Sequence, residues 1–223
     1  MAAVVLHLID PTNPAMSVGS WLSAAETARA ERFIFPADAA RWSCYRAGLR
    51  KALGDALGLS PADVPIIEGP GGKPALAPPY DHLEFNLSHA DDLAVVVLSS
   101  HGPVGIDIEP WSRAPSLIDC SDFFCHPDEL SELPAHEEDR ATRLLEIWTS
   151  KEALLKAVGT GLTFPPPQLC LDGDRGISDP LLEGLSDFRL LIPDHPALRH
   201  HRVAIAVTSA IGDILWQDEP RTN

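Results

Sequence analysis

A chain of 223 residues, 45% of them hydrophobic and with a mean hydropathy of zero, can bury one large core or two small ones. Its formal net charge of −15 excludes a general nucleic-acid binder, which would be basic. No run approaches the roughly 18 apolar residues of a membrane span. The charge is uneven: residues 1–73 hold seven basic and seven acidic side chains, residues 74–223 ten and twenty-five. Every basic residue of the first part lies between Arg29 and Lys73, so an anionic ligand is expected there and a metal cation in the acidic remainder.

Residues 1–10, Met-Ala-Ala-Val-Val-Leu-His-Leu-Ile-Asp, read as a first strand. They lack the basic start and cleavage site of a signal peptide, so a cytoplasmic protein is expected. Ser23 followed by Glu26 is a capping box opening a helix to about Arg32. A second helix is predicted from Pro36 to Leu57, with Gly58 as its C-cap, and Ser60-Pro-Ala-Asp63 as a further short turn. A strand over Pro65–Glu68 leads into Gly69-Pro-Gly-Gly-Lys73-Pro74, a loop that either presents Lys73 to a ligand or is an ordinary hairpin. Leu93–Leu98 and Val104–Glu109 read as buried strands around a turn at Gly102-Pro103. After a loop come a short helix over Pro127–Leu133 and a long one over Glu137–Val158, stopped by Gly159 and Gly161. Pro165–Pro167 is a rigid connector. Strands near Gln168–Leu171, Phe188–Ile192 and Val203–Val207 precede a loose tail of about a dozen residues. The four cysteines, Cys44, Cys120, Cys125 and Cys170, are scattered and expected to be reduced thiols. Cys120, Cys125 and His126 fit no standard zinc spacing.

The halves echo each other. Phe35-Pro-Ala-Asp38 precedes a helix ending Leu49-Arg-Lys-Ala-Leu-Gly54, and His126-Pro-Asp-Glu129 precedes one ending Leu154-Leu-Lys-Ala-Val-Gly159. An α+β fold of two structurally similar α/β units packed face to face follows, with a ligand cleft between them. Along the Val104–Glu109 strand, Asp107 and Glu109 share one face about 7 Å apart, while Ile106 and Ile108 turn to the core. Such a pair suits either a solvated strand face or a hard divalent cation. In the long helix, Trp148, Glu152 and Lys156 recur every fourth residue and stack on one face.

Taken together, Gly105-Ile-Asp107-Ile-Glu109 and Trp148-Thr-Ser-Lys151-Glu152-Ala-Leu-Leu-Lys156 resemble the two signatures of the Sfp-type 4′-phosphopantetheinyl transferases, which activate peptide and polyketide synthases. Phe85-Asn-Leu-Ser-His89 and Gly72-Lys73-Pro74 match the family as well. The resemblance implies a pseudodimeric monomer, with a subdomain over 1–103 on the coenzyme A nucleotide side and one over 104–223 carrying metal and catalytic helix. It implies transfer of phosphopantetheine from coenzyme A to a serine of an apo acyl or peptidyl carrier protein, releasing 3′,5′-ADP. Asp107, Glu109 and Glu152 would bind Mg²⁺, Glu152 would act as base, directly or through water, and Lys156 would stabilise phosphate charge. Arg29, Arg41, Lys73, Ser88, His89 and Lys156 would hold coenzyme A, with Trp148 and Asn86 structural. Two positions depart from the pattern or leave it open. Glu26 stands where a basic residue is common. Asp128 and Glu129 compete for a further acid near the metal, and Glu129 is the expected one. Two other functions remain: a coenzyme-A-binding protein without catalysis, and a Mg²⁺-dependent hydrolase of the coenzyme A diphosphate.

Overall fold

The computed structural model describes residues 2–12, 18–171 and 187–217, leaving aside the side chains of Ala2, Pro70 and Leu162. The elements, in order, are β1 (Ala2–Ile9), α1 (Val18–Trp21), α2 (Ala24–Ala30), α3 (Pro36–Leu57), β2 (Ile66–Glu68), β3 (Pro74–Leu76), β4 (Glu84–Ala90), β5 (Leu93–Ser99), β6 (Val104–Pro110), α4 (Pro127–Ser131), α5 (Glu137–Val158), β7 (Phe188–Leu191), β8 (His201–Thr208) and β9 (Ile211–Trp216). Ser23 caps α2 reciprocally: its hydroxyl accepts from the Glu26 amide at 3.3 Å, and the Glu26 carboxylate accepts from the Ser23 amide at 3.0 Å. The two long helices start and stop where the sequence places them. Gly58 (φ +69°) and Gly159 (φ +83°) take the left-handed turn that ends each.

One sheet has the order β4-β5-β1-β9 and another the order β6-β8-β7, while β2 and β3 form a separate hairpin. The alternation of side chains assigns their faces. Val4 and Leu6 of β1 and Val95 and Val97 of β5 join Ile106, Ile108, Val203 and Ile205 in one buried cluster, so the two sheets meet face to face. The opposite face of the first sheet, through Ala94, Val96 and Leu98, packs on Leu49 and Leu53 of α3. That of the second, through Leu190, Ala204 and Ala206, packs on Ala153 and Leu154 of α5. At roughly 1.5–3 kcal/mol per buried Val, Leu or Ile, this layering is where most of the stability resides.

Edge strands β4 and β6 lie side by side without sharing a ladder. Asn86 of β4 stands in for the missing partner, its Oδ1 accepting from the Ile106 amide at 2.9 Å. On the outer side α5 presses onto Gly105: a Cβ there would sit 2.1 Å from the Ala153 carbonyl oxygen and 2.3 Å from the Ala157 nitrogen. Only glycine admits the helix so close.

Three expectations need correction. Residues 168–171 are no strand: Pro166–Gln168 make a 3-10 turn, favoured by the three consecutive prolines 165–167, and Leu171 forms only an isolated bridge. The expected loose tail is in its first part a strand, β9, which pairs parallel with β1 from Ala2↔Ile211 to Leu6↔Trp216; residues 218–223 lie outside the described ones. The loop after β6 is wound into successive 3-10 turns over Trp111–Phe123. Among the described residues no helix is long and apolar enough to cross a membrane.

Candidate active site

The seam between β4 and β6, roofed by α5, gathers the polar side chains that the core excludes. Lys156 Nζ donates to Asp107 Oδ1 at 2.6 Å and to Ser88 Oγ at 3.1 Å, and Ser88 donates to the same Asp107 oxygen at 3.0 Å. Asp107 is 4% exposed, and its second oxygen, Oδ2, is buried with no hydrogen-bond partner. Glu152 Oε1 is likewise buried and unpartnered. Burial pushes the Asp107 carboxyl above its ordinary range against the pull of Lys156. Burial first, and then the charge of Asp107, push Glu152 up as well; Glu109 adds to both. Two carboxylates near enough to feel each other's charge, with an orphaned oxygen apiece, have the donor chemistry of a hard divalent cation.

Glu109 completes the acidic row but is engaged: its Oε1 accepts from Trp148 Nε1 at 3.1 Å and from the Arg113 guanidinium. The three acids do not close as tightly as His126, Asp128 and Cys170, the one such trio among the described residues whose ligand atoms all lie within 4.8 Å of one another. The zinc trio considered from spacing does not assemble, since Cys120 Sγ donates to the Ser116 and Leu117 carbonyls.

Beside the seam opens a groove of about 420 Å³ whose walls include Arg29, Trp42, Tyr45, Arg46, Leu87 and His89. Arg29 lies over the Trp42 ring at 5.3 Å, and His89 stacks on Tyr45 with centroids 5.0 Å apart. His89 links groove and seam: burial, then the charges of Lys156 and Arg41, hold its imidazole below the ordinary range, so it is neutral at pH 7. Ser88 belongs to the seam. Arg41 is outside the groove lining, paired with Asp38 and Asp92 at 3.3 and 3.1 Å. Lys73 turns inward, donating to the Val104 and Ala157 carbonyls at 3.0 and 3.2 Å and so tying its loop to the start of β6 and the end of α5.

Glu26 has a clear role. It pairs with Arg46 at 2.6 Å and with Arg50, whose guanidinium also holds the Pro61, Ala62 and Val64 carbonyls. Burial works against the Glu26 charge, but the Ser23 amide and the two arginines outweigh it and hold the carboxyl below its ordinary range. Arg46 is a groove residue that sequence reasoning missed; the signal was its place four residues after Trp42 on α3.

The preference for Glu129 as a further acid at the metal is overturned. Its Oε2 accepts from Lys151 Nζ and the His126 amide, both at 2.7 Å, and its Oε1 from the Leu171 amide at 2.9 Å. Both oxygens are spent on holding loops to α5. Asp128 is exposed beside His126.

Comparison with known proteins gives the family. Residues 103–206 match the family described as the 4′-phosphopantetheinyl transferase superfamily, and residues 10–101 the 4′-phosphopantetheinyl transferase N-terminal family. A Synechocystis protein bearing the transferase name, slr0495, is 31% identical over 185 residues, covering 82% of this chain and 71% of its own. The 4′-phosphopantetheinyl transferase HetI of Nostoc is 35% identical over 162 residues, 70% of this chain and 68% of its own. Sfp of Bacillus subtilis, of the same name, is 28% identical over 147 residues, 66% and 64% of the two chains. With both signatures meeting at one seam and relatives aligned across most of its length, the chain belongs to the 4′-phosphopantetheinyl transferase superfamily.

Proposed function

We propose that this chain transfers the 4′-phosphopantetheine arm of coenzyme A to a serine hydroxyl of an apo acyl or peptidyl carrier protein, releasing 3′,5′-ADP in a Mg²⁺-dependent reaction. One observation carries the reading: Lys156, bonded to Asp107 and Ser88, stands in the seam with the orphaned oxygens of Asp107 and Glu152, so two distant motifs converge next to a groove that presents Arg29 and His89. Asp107, Glu109 and Glu152 would hold the ion, and when bound it supplies neutralisation of the charge on the coenzyme A diphosphate.

Glu152, directly or through a water, takes the proton of the carrier serine, as a carboxylate held at the seam beside Lys156 and Asp107 can do. The serine oxygen forms a bond to the β-phosphorus as the bond from that phosphorus to the leaving 3′,5′-ADP oxygen breaks. Lys156 stabilises the charge that builds on the transferring and leaving phosphates. Arg29 and His89 take the nucleotide from the groove wall, with Ser88 bonding phosphate nearby. Arg41 joins them by exchanging Asp38 and Asp92 for phosphate. Lys73 braces the loop and has one N–H left for an anion. We take the chain as a monomer of two similar halves, 1–103 and 104–223. In support, each half lays a 22-residue helix on the outer face of a sheet and the two sheets meet face to face, although β9 of the second half crosses over to pair with β1 of the first.

The test is to incubate the protein with coenzyme A, Mg²⁺ and a panel of apo carrier domains and weigh the carriers. A gain of one phosphopantetheine on the reactive serine is expected; no gain on any carrier overturns the reading. Formation of 3′,5′-ADP without a carrier would indicate a hydrolase instead.

A further inference from the structure

The guanidinium of Arg113 lies where no simple metal site would put a cation. It pairs with Glu109 on the same oxygen that accepts the Trp148 indole N–H. Its charged end also sits over the Trp148 ring, 5.5 Å from the centroid, although the side chain is 41% exposed. Its charge reaches Glu152 too. In the described seam, then, Lys156 serves as the counter-ion of Asp107 and Arg113 as that of Glu109. The two cations are unequal in placement. Lys156 comes from α5, bonded at once to strand and neighbouring sheet. Arg113 comes from the first 3-10 turn after β6 and stands at the exposed end, free to swing into solvent without disturbing the core.

We propose that Arg113 is a latch on Glu109: its guanidinium holds Oε1 of that carboxylate, and a divalent cation that takes Glu109 as a ligand competes with it. The inference rests on the metal reading of the seam given above. Its consequence is that the empty seam holds a metal weakly. Loading then depends on the additional oxygens of a diphosphate substrate, the arrangement by which Mg²⁺ is ordinarily held. Arg113 therefore sets the order of binding and is a positioning residue, since it acts through Glu109.

The test is Mn²⁺ binding followed by the paramagnetic resonance of the free ion, with neither coenzyme A nor carrier present. Arg113→Ala should bind Mn²⁺ about fivefold more tightly than the wild type, the size of one partly exposed ion pair. Arg113→Lys, which keeps the charge and loses the planar fork, should fall between the two. The gain should vanish when Arg113→Ala is made in a Glu109→Gln background, because the cycle isolates the contact from a general change in charge. An affinity unchanged or weakened in Arg113→Ala, or a gain that survives Glu109→Gln, overturns the latch. If no variant binds Mn²⁺ at any concentration, the latch falls together with the metal reading; a latch failure alone leaves wild-type Mn²⁺ binding intact.

Discussion

Lys151 brings an ammonium to a place 1% exposed, where its three N–H groups meet the Phe124 carbonyl at 2.8 Å, Glu129 at 2.7 Å and the Pro166 carbonyl at 3.1 Å. It stands next to Glu152 in sequence and faces the other way, so it anchors the helix whose opposite face does the chemistry. Burial holds it below the ordinary range for lysine even with Glu129 opposing. Lys151→Met should cost about 3–5 kcal/mol in denaturant unfolding, because the buried Glu129 loses its counter-ion. Adding Glu129→Gln, which removes the buried charge and keeps an amide oxygen as acceptor for a backbone N–H, should recover part of that loss, and a double variant no better than the single would contradict the account. Glu152 offers the complementary case. Its carboxyl is raised above the ordinary 4.5 by folding, so the native state binds that proton more readily than the unfolded chain does. Stability of the metal-free protein therefore falls as pH rises from about 4.5 through the native value. Glu152→Gln should remove the Glu152 share of that slope, leaving the share of Asp107, which is raised as well, and should raise the metal-free melting temperature at neutral pH by about 2–4 °C. It should also lower transfer by roughly 10²–10⁴-fold while coenzyme A still binds. A melting temperature that drops at neutral pH would be the wrong sign. At this scale the sequence was only half legible. The four-residue recurrence of Trp148, Glu152 and Lys156 showed a common face, but the partners of Lys73 and Glu129 come from segments far along the chain, and no local pattern announces them.

At the scale of elements, the contact of α5 with β6 decides whether the seam exists. Gly105→Ala would place a methyl group 2.1 Å from the Ala153 carbonyl oxygen, and backbone cannot yield there as a flexible side chain would. The expected result is a loss of about 1–3 kcal/mol of stability, with transfer reduced further because Glu152 and Lys156 ride on the displaced helix. Gly19→Ala, where nothing lies within 4 Å of the added carbon, should leave transfer unchanged and serves as control. The long helices could be read to the residue because proline and acidic side chains mark their starts and a left-handed glycine ends each. Strand β4 was harder: Asn86 and Ser88 point into the seam, so its inward face is polar and the usual alternation is lost. Strand β9 was hidden for another reason. Gly212 and Asp213 interrupt its apolar positions, and what makes it a strand is the free edge of β1, two hundred residues earlier.

At the scale of the whole molecule, the uneven charge seen in the sequence becomes a division of labour. Arg29 and His89 line a groove in the first half, where Arg46 is balanced by Glu26, while the excess of acidic side chains lies in residues 74–223. Arg29→Ala should raise KM for coenzyme A about tenfold with kcat nearly unchanged, the effect of one charged hydrogen bond made equally in the ground and transition states. A fall in kcat at constant KM would place Arg29 in the chemistry instead. The account as a whole stands on the seam being a metal site shared by a strand and a helix. The most direct measurement is the anomalous scattering of Mn²⁺ in crystals grown with coenzyme A. The prediction is a peak bound by Asp107 and Glu152, with Glu109 released from Arg113. A seam without a peak, or Mn²⁺ held instead at His126, Asp128 and Cys170, would contradict it.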